Sequence, residues 1–362
     1  MPNERLSRRK FLIGLVVAVA GCRPGGRAVP TLYTTRSPNE LPSSPSVPPT
    51  LTAIPATLPP VPARVPLTTI ERLYIMSFRG QPTFDTAAWR LTIDGLVKSP
   101  LTLSEGEIRA LPSQKEERTL QCISNPIGGG LIGNVEWEGT PLAPLLARAG
   151  IQDGATHALF EAADGYTTAV PLSRLTDPDT WLVYGAGGAP LTPAHGYPLR
   201  LLIPAVYGQK QPKWITRITL TDQDRLGYWE QEDRGWSNVA TVKTNSAIRQ
   251  PEKTVLPFTA PIRLEGYAFG GGRVITAVEV RISARDQGES LWTPTRLIRP
   301  PSGKIWTWWL YDWSPPAPGL YEVAIRATDA TGYSQTRLES GLFGKPFPEG
   351  TDAIHNVLIK VG

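Results

Sequence analysis

Cysteine, histidine and methionine are scarce in this sequence: its 362 residues include two cysteines, three histidines and two methionines. So little cysteine excludes a disulfide-stabilised fold, and so few cysteines and histidines argue against a zinc site of the usual composition. The haem-attachment motif C-x-x-C-H is absent, as are the G-x-S-x-G turn of many hydrolases and the glycine patterns that bind nucleotides. The sequence therefore lacks the signatures of several common enzyme classes.

The charge balance is also unremarkable. The formal net charge is +5, and more than half of it lies in residues 1–21, which we expect to be removed. No clustered basic face is left for a nucleic-acid partner, so we expect none. Hydrophobic residues make up 41% of the chain and charged residues 19%, which is typical of globular proteins, and the length allows two domains.

Residues 1–22 have the features of an export signal. The basic stretch "RLSRRK" precedes the apolar run Phe11–Ala20, whose ten residues are too few to span a bilayer as a helix. The pair Arg8-Arg9 in this setting resembles a twin-arginine signal, and a basic flank of an ordinary membrane anchor is the alternative. The pattern predicts an exported protein.

Cys22 ends the stretch "VAGC", which resembles a lipobox. That pattern predicts lipidation of Cys22 and a lipid anchor at the cell surface or the periplasmic face of the membrane. Signal cleavage nearby, with Cys22 incidental, is the alternative. Residues 23–66 contain twelve prolines with serines and threonines between them, which predicts a disordered, extended tether.

The first folded region is predicted over residues 67–225, with mixed strands and helices and no regular alternation, which indicates an α+β domain. "KEERTLQCIS" predicts a strand that ends at Cys122. "LTLSEGEIRAL" predicts a helix with a capping box, in which Ser104 is the N-cap and Glu107 lies three residues on. "TPLAPLLARAGI" predicts a second helix, with Gly150 as its C-cap.

The second folded region is predicted over residues 248–362, after a connector at 226–247. Its short strand-like segments, separated by turn signals, indicate an all-β sandwich. In "WTWWLYDW", strand alternation places Trp306 and Trp308 on one face and Trp309 and Trp313 on the other. We expect these tryptophans to lie in the core, and an interface with the first domain is the alternative.

Cys122 is the one thiol that remains if Cys22 is lipidated, and it lies before a turn-rich run with three successive glycines. It could be a buried spectator, a nucleophile or a metal ligand. As a nucleophile it would need a base such as His195, but no protease signature surrounds either residue. Downstream, "HGYPLRLLIPAVYGQKQPKW" holds four basic residues that suit an anionic, phosphate-bearing cofactor, or that form a solvated basic face: His195, Arg200, Lys210 and Lys213.

Several ordered segments together resemble the sulfite oxidase family of molybdopterin enzymes. The segment Leu120–Leu146 resembles the family's cysteine loop, "HGYPLR" its histidine–arginine segment, and Gly208–Trp214 its lysine–tryptophan segment. "GYAFGGGRVITAVEVRIS" and "RATDATGYSQ" resemble parts of the family's Ig-like dimerisation domain. The resemblance covers about residues 70–362 and implies the corresponding two-domain fold.

The resemblance also implies roles for individual residues. Cys122 would be the thiolate ligand of molybdenum, with one molybdopterin supplying the other sulfurs. Tyr166 would be the active-site tyrosine that donates a hydrogen bond to the substrate oxygen; a core tyrosine in a hairpin is the alternative. The residues expected to bind the cofactor are Asn125, His195, Arg200, Lys210 and Lys213, with the two lysines neutralising its phosphate.

The sequence departs from the family at two places where arginines clamp the sulfite anion. No arginine follows Asn125 in the cysteine loop, and Met76-Ser77-Phe78 stand where the family has an R-N-H segment; Arg79 lies nearby but out of register. Without these charged donors, the site would attract the sulfite dianion less strongly, so we do not expect efficient sulfite oxidation.

The resemblance implies a molybdenum oxidoreductase that performs two-electron oxygen-atom transfer on a small sulfur- or nitrogen-containing substrate. The direction is open: sulfite oxidation or reduction of an S- or N-oxide. We expect no haem in this chain and a separate cytochrome or quinone-linked electron carrier, and a homodimer is possible. A non-catalytic surface scaffold and a metal-free thiol enzyme are the competing hypotheses.

Overall fold

The computed structural model describes residues 58–258, 261–336 and 346–362. The export signal, Cys22 and most of the tether lie outside this part of the chain. Residues 58–66, the end of the predicted tether, pack on the folded body: Val65 is 6% exposed, and Trp306 Nε1 donates to the carbonyl oxygen of Pro66. The described residues contain no helix long and apolar enough to cross a membrane.

The first domain comprises ten strands, three short helices and two 3-10 turns. The strands are β1 Arg90–Gly95, β2 Leu101–Ser104, β3 Gln114–Gln121, β4 Ile132–Pro141, β5 His157–Ala162, β6 Thr167–Pro171, β7 Trp181–Ala186, β8 Ala189–Pro190, β9 Arg200–Leu202 and β10 Ile215–Thr221. The helices are α1 Glu105–Arg109, α2 Ala143–Ala149 and α3 Leu172–Leu175, and the 3-10 turns are Pro193–His195 and Gly208–Lys210.

Two mostly antiparallel sheets organise this domain. One has the order β2-β1-β10-β5-β6, in which only β1 and β10 pair in parallel. The other has the order β3-β4-β7-β8, with β9 also paired to β7. The predicted capping box is confirmed, since Ser104 accepts from the Glu107 amide and the Glu107 carboxylate accepts from Ser104. Gly150 ends α2 in the left-handed conformation, as predicted.

The described residues of the second domain form a sandwich of nine strands: β11 Asn245–Gln250, β12 Val255–Leu256, β13 Ile262–Phe269, β14 Ile275–Ala284, β15 Thr293–Pro294, β16 Arg296–Ile298, β17 Thr307–Trp313, β18 Gly319–Asp329 and β19 His355–Val361. One sheet has the order β11-β13-β17-β16, and the other has the order β12-β19-β18-β14-β15. Apolar side chains from both sheets form the core between them. The predicted fold class, α+β followed by an Ig-like sandwich, is confirmed.

The tryptophans of β17 divide as alternation requires, but only one face lies in the sandwich core. Trp309 and Trp313 belong to that core. Trp306 and Trp308 instead pack with Ile123, Ile132 and other residues of both domains. The core prediction was therefore wrong for this pair, because the face of β17 that does not face the second sheet is covered by the first domain. This shared cluster borders the segment that follows β3.

Candidate functional site

Cys122 directly follows β3, at the start of the cysteine loop, which we define as residues 122–131. Its amide donates to the carbonyl oxygen of Leu131 at 2.9 Å and closes the base of the loop. The Cys122 residue is 9% exposed, and its Sγ lies 3.1 Å from Ser124 Oγ. Burial raises the pKa of the Cys122 thiol. Alone, this site favours the neutral thiol, and a bound cation would favour the thiolate.

Asn125 holds the cysteine loop together. Its side-chain Oδ1 accepts from the backbone amide of Leu131 at 2.8 Å, and its backbone amide donates to the carbonyl oxygen of Cys122 at 3.1 Å. The residue is 3% exposed. The sequence assigns Asn125 to cofactor binding, and this stays a prediction; in the structure, its contacts fix the turn that follows the thiol.

Arg200 and Lys213 pair in an isolated antiparallel β-bridge, and the Cβ atoms of both residues lie close to Gly196. Gly196 has φ of 114°, and a Cβ at this position would lie 3.0 Å from Arg200 Cβ and 3.2 Å from Lys213 Cβ. Glycine therefore permits both the backbone conformation and the close approach of the two basic side chains. We call Gly196, Arg200 and Lys213 the cationic cradle.

No carboxylate of the described residues lies within ion-pair distance of the cradle, although the more distant charge of Asp164 partly offsets the lowering of the Lys213 pKa. Arg200 is 4% exposed, its Nη1 donates to the carbonyl oxygen of His195 at 3.2 Å, and its buried Nε has no partner. Lys213 Nζ donates to the carbonyl oxygen of Ala194 at 2.7 Å. Burial and the neighbouring guanidinium lower the pKa of Lys213 to about 7, and burial lowers that of Arg200 to about 10. An anion would relieve both effects.

His195 is engaged at both ring nitrogens. Its Nε2 lies 3.2 Å from the carbonyl oxygen of Leu73, which can only accept, so Nε2 carries the proton and Nδ1 accepts from Thr192 Oγ1 at 2.7 Å. Burial lowers the pKa of His195 to about 4. His195 is therefore neutral and ties residue 73 to the turn that leads into the cradle. The metal-free pairing of His195 with Cys122 as nucleophile and base has no support in these contacts.

Lys210 lies in a buried ion pair instead of the cradle. Its Nζ is 3.2 Å from the carboxylate of Glu230 and donates to Ala169 O at 3.0 Å and to Asn238 Oδ1 at 2.6 Å. These three acceptors satisfy an ammonium, which has three donors. The expected phosphate contact of Lys210 is thus not available in this arrangement. The partner, Glu230, lies in the predicted connector, and nothing in its local sequence indicates the pairing.

Tyr166 and Tyr74 lie within electrostatic reach of the thiol, since, in addition to burial, charge on Cys122 raises the pKa of each. Tyr166 is 8% exposed, and its hydroxyl donates to the carbonyl oxygen of Gln209 at 2.6 Å. Tyr74, which sequence reasoning missed, is half-buried, and its pKa is raised by burial and by charge on Cys122, while the charge of Arg200 lowers it. The Tyr74 hydroxyl therefore lies within electrostatic reach of both the thiol and the cradle. The only sequence feature that could have pointed to Tyr74 is its position in the segment that departs from the family pattern.

Two family profiles match consecutive parts of the chain. The oxidoreductase molybdopterin binding domain matches residues 79–229, and the Mo-co oxidoreductase dimerisation domain matches residues 237–341. Together they span more than half of the sequence.

Among curated proteins, sulfite oxidase of Gallus gallus is 27% identical over 311 residues, which cover 73% of this chain and 67% of that protein. NADH nitrate reductase of Solanum lycopersicum is 28% identical over 327 residues, covering 73% of this chain and 36% of that protein. The chain thus spans about a third of the nitrate reductase and two thirds of the sulfite oxidase. The crystal structure of the sulfane dehydrogenase SoxCD from Paracoccus pantotrophus shares the fold, with a TM-score of 0.68, 22% identity, and coverage of 89% of this chain and 95% of that chain.

Proposed function

Because the chain belongs to the sulfite oxidase-like family of molybdopterin oxidoreductases, we propose that it uses a molybdenum–molybdopterin cofactor for two-electron oxygen-atom transfer on a small substrate. The observation that carries this proposal is the conjunction of a buried thiol, Cys122, with a cationic cradle that has no carboxylate of the described residues within ion-pair distance. A spectator cysteine would not need the cradle, and a cradle of purely structural use would be neutralised by acidic side chains.

The residues present fit this cofactor. The unpartnered Nε of Arg200 and the depressed pKa of Lys213 both indicate a site completed by an anion, and the phosphate of molybdopterin has that charge. The lone buried thiol suits molybdenum, since a soft thiolate ligand matches a polarizable metal. No group of three or more His, Cys, Asp or Glu side chains in the described residues could hold a metal unaided, so the cofactor would supply the remaining ligands.

When bound, the cofactor supplies the two-electron chemistry, and the protein supplies placement and electrostatics. Cys122 would lose its proton on binding and hold the metal from the start of the cysteine loop. Arg200 and Lys213 would bind the phosphate, and Lys213 would be fully protonated once the anion is present. Neutral His195 would fix the turn that carries these cations without adding charge.

Tyr166 would act as the hydrogen-bond donor for the substrate oxygen. Burial raises its pKa, so the phenol stays protonated at neutral pH and is available to donate. Its present acceptor is the Gln209 carbonyl oxygen, so a substrate oxygen would compete with that carbonyl for the same proton. Tyr74 would offer a second phenol on the side of Arg200.

A neutral sulfur or nitrogen oxide fits this site better than the sulfite dianion. Phe78 stands in the segment where the family has R-N-H, and its ring centroid is 6.1 Å from that of Tyr166 and 4.1 Å from that of Tyr228. An aromatic wall beside the catalytic tyrosine provides apolar contact without charge. Arg79 is exposed and stacks on Phe78, so it could contact an anionic substituent further out.

We further propose that the electrons pass to a separate cytochrome or quinone-linked carrier. The proposal includes export, lipidation at Cys22 and anchoring at the cell surface or periplasmic face, on the basis of the signal sequence alone. The matched dimerisation domain supports a possible homodimer. A non-catalytic scaffold is the remaining alternative, and the buried ligand thiol argues against it.

The test is the molybdenum and pterin content of the full chain from a molybdopterin-competent host, compared with Cys122→Ser and with Ser173→Ala, an exposed serine of α3, as the control. We expect about one molybdenum per wild-type and control chain, and loss or inactivation of the metal in Cys122→Ser. The loaded protein is then assayed with sulfite, sulfoxides and N-oxides. A folded wild type without molybdenum or pterin would overturn the proposal in favour of a scaffold.

A further inference from the structure

Two residues of the sandwich domain contact the cysteine loop of the first domain. Arg249, in β11, donates from Nη1 to the carbonyl oxygen of Gly128 at 3.1 Å and from Nη2 to that of Gly129 at 2.6 Å. Its guanidinium also lies over the ring of Tyr267, 4.9 Å from the centroid. No carboxylate of the described residues lies within ion-pair distance of Arg249, so the loop carbonyls are its main polar partners.

His355, at the start of β19, fills the space beside Gly128. A Cβ at Gly128 would lie 2.2 Å from His355 Nε2, and the φ of Gly128 is +67°. The imidazole is fixed at its other nitrogen, because the backbone amide of Ile248 donates to His355 Nδ1 at 3.0 Å. The proton of the ring therefore lies on Nε2, the atom that faces the loop.

We infer that the sandwich domain positions the cysteine loop, with Arg249 and His355 as its positioning residues. Within the loop, the Asn125 side chain accepts from the Leu131 amide, but this hydrogen bond fixes only the turn. Arg249 connects the glycine stretch to β11, and His355 limits how far Gly128 can move. The role of the second domain thus extends beyond subunit contact to the metal ligand of its own chain. This inference rests on the proposed function only for the identity of the group that Cys122 binds.

The experiment uses cofactor-free full-length protein and measures alkylation of Cys122 by N-ethylmaleimide, with peptide mass spectrometry to separate it from Cys22. The variants are Arg249→Met, Arg249→Lys and the matched control Arg263→Met. Arg263 is an arginine of the same domain that pairs with Asp312 away from the loop. We expect about tenfold faster alkylation in Arg249→Met, since two hydrogen bonds from a charged donor are lost. Arg249→Lys should recover part of the protection, and the control should match wild type.

A second comparison tests the His355 contact. Gly128→Ala should also accelerate alkylation, because the new methyl group meets the imidazole. Adding His355→Ala to Gly128→Ala should reduce that acceleration, since the space is then free. Purely additive effects of the two substitutions would contradict the contact.

The loaded protein provides the last readout. Arg249→Met should lose molybdenum faster on dialysis than wild type and show a shifted thiolate-to-metal absorption band. Unchanged alkylation in Arg249→Met, or equal acceleration in Arg263→Met, would overturn the inference. A wild type without molybdenum would instead refute the proposed cofactor, while the alkylation series would still report on the positioning of the loop.

Discussion

At the scale of single residues, the two most deeply buried arginines of the first domain have opposite surroundings. Arg118 is 3% exposed and contacts the carboxylates of Glu116 at 2.7 Å and Asp179 at 3.5 Å. Arg200 is 4% exposed, and no carboxylate in the described part of the chain lies within ion-pair distance of it. Arg118 therefore belongs to the protein's own charge network, whereas Arg200 has the surroundings expected of the proposed anion contact.

This contrast predicts opposite effects of the same substitution. Arg118→Met should destabilise the cofactor-free protein by about 1–2 kcal/mol, since it removes the buried guanidinium's contacts to Glu116 and Asp179, although both carboxylates keep Lys304 as a partner. Arg200→Met should leave its stability unchanged or raise it by about 1 kcal/mol, because an uncompensated buried charge is removed. Pterin content should fall only in Arg200→Met. Urea unfolding and pterin fluorescence measure the two effects, and equal destabilisation of both variants would contradict the role of the cradle.

Tyr166 provides a second prediction at this scale. Tyr166→Phe removes the proposed donor and should lower kcat about a hundredfold, while stability falls by only about 1 kcal/mol. Tyr184→Phe is the control, a buried tyrosine of β7 beside Arg109. Steady-state kinetics with the best sulfoxide or N-oxide substrate would decide. A normal kcat in Tyr166→Phe would contradict the proposed donor role and favour the alternative of a core tyrosine.

At the scale of helices and strands, the sequence predicted those features that depend on contacts between residues close together in the chain. The capping box at Ser104, the Gly150 C-cap and the strand that ends before Cys122 all follow from residues within a few positions of one another. The Lys210–Glu230 pair and the Arg249 contact could not be predicted in this way, and the Trp306 interface was only an alternative to a core position. Each joins segments that are distant in sequence, and only tertiary packing brings them together.

The cysteine loop is the element on which the proposed site depends most. Asn125→Ala removes the acceptor for the Leu131 amide and should cost about 1–2 kcal/mol of stability. The wider turn should also weaken metal retention. Asn125→Asp keeps an acceptor oxygen and should retain more molybdenum than Asn125→Ala. Metal analysis after dialysis distinguishes them, and equal retention would show that the side chain does not support the loop.

At the scale of the whole molecule, two buried neutral histidines make stability depend on pH. The pKa values of His195 and His355 are lowered to about 4 by burial, against an unfolded value near 6.5. A depressed histidine pKa means that the unfolded chain binds more protons between these values. The stability contribution is therefore complete above about pH 6.5 and is lost as the pH falls through 4. Glu230 and Asp164, whose pKa values burial raises, act in the opposite direction.

A difference measurement isolates the histidine effect. The stability advantage of wild type over His195→Gln should shrink by about 2 kcal/mol between pH 7 and pH 4, because glutamine keeps hydrogen-bonding atoms but does not titrate. Urea unfolding of cofactor-free protein at several pH values gives this difference. An advantage that is constant with pH would mean that His195 is not held neutral.

In the proposed function, Cys122 ligates a molybdenum that a pterin also holds. X-ray absorption at the molybdenum edge tests it most directly, since it counts the sulfur atoms around the metal in wild type and in Cys122→Ser loaded under the same conditions. We expect one sulfur fewer in the variant, with the pterin sulfurs unchanged. An identical sulfur count in both proteins would show that the thiol of Cys122 does not bind the metal.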